Sequence, residues 1–109
     1  MLDQLERVEK RYQELNRQIA MPEVASDLKR LQMLAQERAS IESLVTKYRQ
    51  YKAASKSLEE TKDMLNDGLD EEMTALAKQE IESLESQLDH LLQGLKLALL
   101  PKDANDERD

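Results

Sequence analysis

From Asp27 to Leu65 the chain runs for 39 residues without a proline or a glycine. A segment this long has one regular conformation open to it, because strands average about 5–6 residues whereas helices extend to several turns. As a helix it spans ~58 Å at 1.5 Å per residue. Its apolar residues form two stripes. Leu28, Leu31, Ala35 and Val45 fit one frame. Ile41, Leu44, Tyr48, Tyr51, Ser55, Leu58, Lys62 and Leu65 keep alternating 3–4 spacing in another. A helix with two stripes is expected to meet two partners.

The flanking segments supply them. Leu5, Val8, Tyr12, Leu15 and Ile19 recur at spacings of 3 and 4, which predicts a first helix over residues 2–20. Met21-Pro22 interrupts it, since the residue before proline is pushed out of the α region. Ser26 or Asp27 then caps the long helix, predicted over 27–65. Asn66-Asp67-Gly68-Leu69-Asp70 forms the second break, with Gly68 suited to a left-handed conformation and Asp70 to an N-cap. Ala77, Ile81, Leu84, Leu88, Leu91, Leu95 and Ala98 mark the seam of a third helix over 71–99. Pro101 stops it, and residues 101–109 read as a polar linker toward a missing downstream domain.

Short connections imply antiparallel neighbours. The expected fold is all-α, an antiparallel three-helix arrangement in one domain over 1–100. The second and third helices form a long coiled-coil-like hairpin, and the shorter N-terminal helix packs at one end. Leu, Ala, Glu, Lys and Arg account for 59 of 109 residues, a composition of long helices rather than sheets.

Charge and chemistry narrow the function. Residues 1–65 carry twelve basic and eleven acidic side chains, while residues 66–109 carry four and twelve. An acidic chain repels phosphate, so broad nucleic-acid binding is not expected. Lys47, Arg49, Lys52 and Lys56, interleaved with Tyr48 and Tyr51, are the local exception. In the antiparallel pairing the lysines fall opposite Glu80, Glu82, Glu85 and Asp89, so charge pairs beside the seam compete with RNA contact as their explanation. The chain has no cysteine and one histidine, His90, with Gln87 three residues before it, so neither thiolate chemistry nor a Glu-x-x-His metal site is expected. No Gly-rich phosphate loop occurs. The adjacent pairs Glu59–Glu60 and Glu71–Glu72 diverge by about 100° on a helix and do not converge on one substrate. Met33, Met64 and Met73 read as gap-fillers. No cofactor, no small-molecule substrate and no enzymatic activity of the chain itself are expected. The longest apolar run, Leu97 to Leu100, is too short to cross a bilayer, and MLDQLERVEK is charged from its third residue, unlike a secretory signal. A cytoplasmic location follows as the expectation.

Three stretches carry a family resemblance. The tail Leu99-Leu100-Pro101-Lys102-Asp103-Ala104-Asn105-Asp106-Glu107-Arg108 resembles the LLPKDPxDE(R/K) junction of the bacterial peptide chain release factor 1 family, which reads UAA and UAG. Met21-Pro22-Glu23-Val24-Ala25-Ser26-Asp27 resembles that family's "DPEV…D" connection, and the stretch from Asp67 on, with DEEMTALAKQEIESLE, is similar to its "DPEMREMAKEEL…LE" helix. They cover nearly the whole chain in the right order, and the tail is the most specific. Ala104 stands where the family usually has proline, in a stretch read as exposed linker.

The resemblance implies the N-terminal domain of such a factor. The family's catalytic GGQ and its stop-codon-reading tripeptide lie beyond this junction, so no such residue is carried over. It implies a ribosome-docking module facing the base of the large-subunit stalk, with a ribosomal protein as partner and any rRNA contact minor. Asn66, Asp67, Gly68 and Asp70 at the hairpin tip are the candidate contacts, together with the loop around Pro22. A free-standing coiled-coil adaptor or oligomeriser is the alternative on the heptads alone; the two turns favour a monomer over a dimer.

Overall fold

The alternating periodicity becomes four helices in the computed structural model, which describes residues 1–100. They are α1 (Leu2–Ile19), α2 (Pro22–Ala25), α3 (Leu28–Asn66) and α4 (Glu71–Ala98). No strand occurs among the described residues, and the fold is all-α. The expected stop at Pro101 and the linker over 101–109 lie outside the described residues.

The first break is more ordered than a turn. Met21 is extended (ψ 135°), as a residue before proline must be, and Pro22 then opens a one-turn helix. Val24, on that turn, is completely buried. Asp27 rather than Ser26 caps α3: its carboxylate accepts from the Arg30 N–H at 3.3 Å. The Ser26 hydroxyl instead donates back to the Pro22 and Glu23 carbonyls at 3.1 and 3.3 Å.

The described residues divide into two compact units, one over Met1–Tyr48 and one beginning at Arg49. In the first, α1 lies antiparallel to the N-terminal part of α3. Arg11 forms a two-pronged ion pair with Glu37 (Nε to Oε2 2.6 Å, NH2 to Oε1 2.7 Å). Arg38 sits 5.1 Å from the Tyr12 ring centroid and donates to the Asn16 side-chain oxygen. Further along α3, the Tyr48 hydroxyl donates to Glu6. Leu5, Tyr12, Leu15, Val45 and Tyr48 are buried. Each fully buried leucine contributes roughly 1.5–3 kcal/mol by leaving water. Glu9 shares the buried face, four residues after Leu5 and three before Tyr12, a placement the apolar pattern does not reveal. Its burial is tolerated because no buried side-chain N or O among the described residues lacks a hydrogen-bond partner.

Leu28 departs from expectation. It belongs to the first stripe by spacing yet is 74% exposed, since it is the first residue of α3 and follows directly on its cap; Ala35, of the same stripe, is exposed as well.

In the second unit the C-terminal part of α3 pairs antiparallel with α4. Ala54, Ala77 and Leu84 are buried, with Leu58, Leu65, Ile81 and Leu88 half-buried along the same seam. Two seam assignments shift by one residue. Ala54 is buried where Ser55 is only half-buried, and Thr61 faces inward where Lys62 is exposed. The Lys62 ammonium thereby stays in water, 4.0 Å from the Glu85 carboxylate. Ala98, the last expected seam residue of α4, is exposed at the helix end.

Candidate functional site

The turn between α3 and α4 is built from its backbone outward. Past Asn66 the ladder closes with Asp67 N–H on the Asp63 carbonyl (3.1 Å) and Gly68 N–H on the Leu65 carbonyl (3.3 Å). Gly68 then takes φ +91°, a conformation that costs most residues with a Cβ about 1–2 kcal/mol. Asp70, extended at φ −69° and ψ 173°, caps α4 by accepting from the Met73 N–H at 2.8 Å. Glu71 and Glu72 follow in the first turn, where the helix dipole favours carboxylates.

The candidate contacts Asn66, Asp67, Gly68 and Asp70 are thus all exposed and held within one turn. Their roles differ. Asp70 is committed to holding α4, whereas Asp67 presents an exposed carboxylate. The Pro22 segment, the other candidate, is the α2 turn, exposed at Pro22, Glu23 and Ala25 but anchored by Val24.

The segment of alternating bases and tyrosines is mostly structural. Tyr48 is 4% exposed and its hydroxyl is engaged by Glu6, so its ring has no face open to a nucleobase. Tyr51 is half-buried. Glu85, expected opposite Lys47, Lys52 and Lys56, lies beside Lys62. His90 is exposed, and no three His, Asp or Glu residues among those described converge as metal ligands. No helix among the described residues is long and apolar enough to cross a membrane.

One feature was not foreseen. Between α3 and α4, next to the turn, Met64, Leu69, Met73, Leu76 and Ala77 line an apolar groove of about 190 Å³, with Glu80 at its edge. Met64 and Met73 are 48% and 44% exposed, so they are not gap-fillers as their scatter in the sequence implies. The signal was there as a remainder: once the seam is assigned to Leu65, Ala77 and Ile81, the apolar Met64, Met73 and Leu76 are left without a role.

Comparison with known proteins places the chain. The model of the PCRF domain matches residues 8–109. The chain is 44% identical over 108 residues to peptide chain release factor 1 of Geobacillus sp. (strain WCH70), and equally to proteins of that name from Dehalococcoides mccartyi and Listeria monocytogenes. Each match covers 99% of this chain and 30% of the relative's length, so the chain spans under a third of these proteins. No solved structure matches it. By a family model covering all but its first seven residues, the chain belongs to the PCRF domain family.

Proposed function

We propose that this chain is a ribosome-docking domain acting in translation termination, which positions a release factor and itself performs neither codon reading nor peptidyl-tRNA hydrolysis. The observation that carries the reading is the 44% identity over 108 residues to proteins named peptide chain release factor 1. The work is cytoplasmic, and the partner is a basic ribosomal protein at the base of the large-subunit stalk, with rRNA contact minor. The exposed acidic turn over residues 66–72 supports a basic protein over bare RNA, since carboxylates repel phosphate.

Co-pelleting of the purified chain with bacterial ribosomes, with and without excess intact peptide chain release factor 1, tests it. Binding displaced by the intact factor is expected; pelleting that the intact factor leaves unchanged overturns the reading. The contact surface is tested with Asp67→Lys combined with Glu72→Lys, which spares the Asp70 cap. Unaltered pelleting of that variant removes the turn as the contact.

The adaptor alternative requires apolar seams that close between chains. Here Leu5, Leu15 and Val45 in one unit and Ala54 and Leu84 in the other are buried within a single chain. Sedimentation near 12.6 kDa is the expected result, and a stable dimer would favour the adaptor.

A further inference from the structure

Met64 on α3 and Met73 and Leu76 on α4 expose large apolar side chains beside one another, around the groove of about 190 Å³. Such a volume exceeds the ~150 Å³ that encloses a benzene ring in a protein core, so it admits one aromatic or two aliphatic side chains. Methionine walls adapt to the shape of what enters. Of the polar lining, Thr61 demands nothing of a ligand, because its hydroxyl already donates to the Ser57 carbonyl at 2.8 Å.

The rim is predominantly acidic. Glu60 lies four residues before Met64, Glu72 four before Leu76 and Glu80 four after it, so each shares a helical face with a groove residue. Across residues 59–80 there are eight carboxylates and two lysines. That field excludes three occupants. Nucleic acid and anionic lipid are repelled, and a second copy of this chain would bring an identical acidic rim. What fits is an apolar anchor flanked by cations, which is the face of a basic amphipathic helix laid in a groove.

We propose that the groove formed by Met64, Met73 and Leu76 is a docking site for a basic amphipathic helix of a partner protein, which seats one or two large apolar side chains between α3 and α4 while its lysines or arginines meet Glu60, Glu72 and Glu80. The inference rests on the docking reading for its ribosomal setting. It adds that recognition at this end of the hairpin is hydrophobic at its centre and electrostatic only at its edge.

The test uses the whole chain with ¹³C-methyl-labelled methionines, titrated with a 14-residue leucine–lysine peptide whose leucines fall on one helical face. A peptide of the same composition, reordered so that no apolar face forms, is the control. Saturable shifts are expected at Met64 and Met73, while Met33 stays still although it is 66% exposed. Leu76→Glu, at an exposed position, is expected to weaken binding by about ten-fold or more by removing apolar contact, and the reordered peptide should bind at least as poorly. Equal binding of both peptides, shifts spread over all five methionines, or no saturable shift at millimolar peptide overturns the proposal. The two readings fail separately. Groove binding by the peptide without ribosome pelleting sinks the docking reading alone, and pelleting without groove binding sinks this one.

Discussion

The Tyr48 hydroxyl on α3 donates to the Glu6 carboxylate on α1 at 2.5 Å, joining residues 42 apart in sequence at a part-buried position. A hydrogen bond to a charged acceptor is worth about 1.5–3 kcal/mol. Tyr48→Phe keeps the ring in its buried site and removes only the donor, so the loss should fall in that range. In thermal unfolding the midpoint should drop by roughly 5–15 °C for a domain of this size. A shift under a degree would mean that water replaces the bond without cost.

Glu14 accepts from Arg17 and Gln18, and these bonds hold its carboxyl at about 2, down from 4.5. The folded value is depressed, so its contribution is complete above pH 4.5 and is lost as pH falls from there to about 2. Glu37 is lowered in the same direction, chiefly by its hydrogen bond from Arg11. Both groups are open to solvent, and the effect is correspondingly small. Urea unfolding at pH 7, 4 and 2 should show a shallower acid loss in Glu14→Gln than in the parent chain; identical slopes would show that the Arg17 pair does not persist in solution.

The Arg11–Glu37 pair has two short bonds, yet its side chains are 43% and 41% exposed. Geometry argues for strength and exposure against it. Exposure should prevail, since long side chains lose rotamer entropy and water screens the pair. A double-mutant cycle with Arg11→Ala and Glu37→Ala is expected to give a small coupling that shrinks in 1 M salt. A coupling that 1 M salt leaves unchanged would contradict this.

Gly68 and Asp70 stabilise one turn by different means. Beyond Gly68 and its two chain neighbours, no heavy atom lies within 4 Å of where a Cβ would sit, so Gly68→Ala should cost about 1–2 kcal/mol through the backbone alone. Gly68→Asn should cost less, because asparagine tolerates the left-handed region better. Asp70→Ala removes the acceptor for Met73 N–H and should cost about 1 kcal/mol, which Asp70→Asn largely restores. Denaturant midpoints distinguish these outcomes, and a Gly68→Ala penalty larger than the Asp70→Ala penalty by several-fold would point to a clash the structure does not contain.

The three long helices were legible in the sequence to within one residue at every boundary, because proline, glycine and cap residues mark ends that backbone hydrogen bonding enforces. The seam was legible only to one helical step. Ala54 and Ser55, or Thr61 and Lys62, are neighbours separated by about 100°, and spacing alone does not choose between them. Leu28 was misread because periodicity does not register that a helix is beginning. The turn residues Asn66, Asp67, Gly68 and Asp70 were visible from their backbone preferences. The groove was not, because Met64 and Met73 lie on different helices and only the antiparallel pairing brings them together.

Four residues of α2 change how the two connections should respond to attack. Val24 and Ala25 N–H groups donate to the Met21 carbonyl, Ser26 N–H to Pro22 and Asp27 N–H to Val24, with the Val24 side chain buried beneath. A protease must draw several residues of backbone into an extended strand before it cuts. Between α1 and α3 it would have to unwind a helix and extract a buried valine first. Between α3 and α4 it meets exposed Asn66, Asp67 and Gly68. Limited digestion should therefore nick the chain after Asn66 long before it separates α1, and the residue most familiar as a chain-breaker, Pro22, guards the tougher of the two joints.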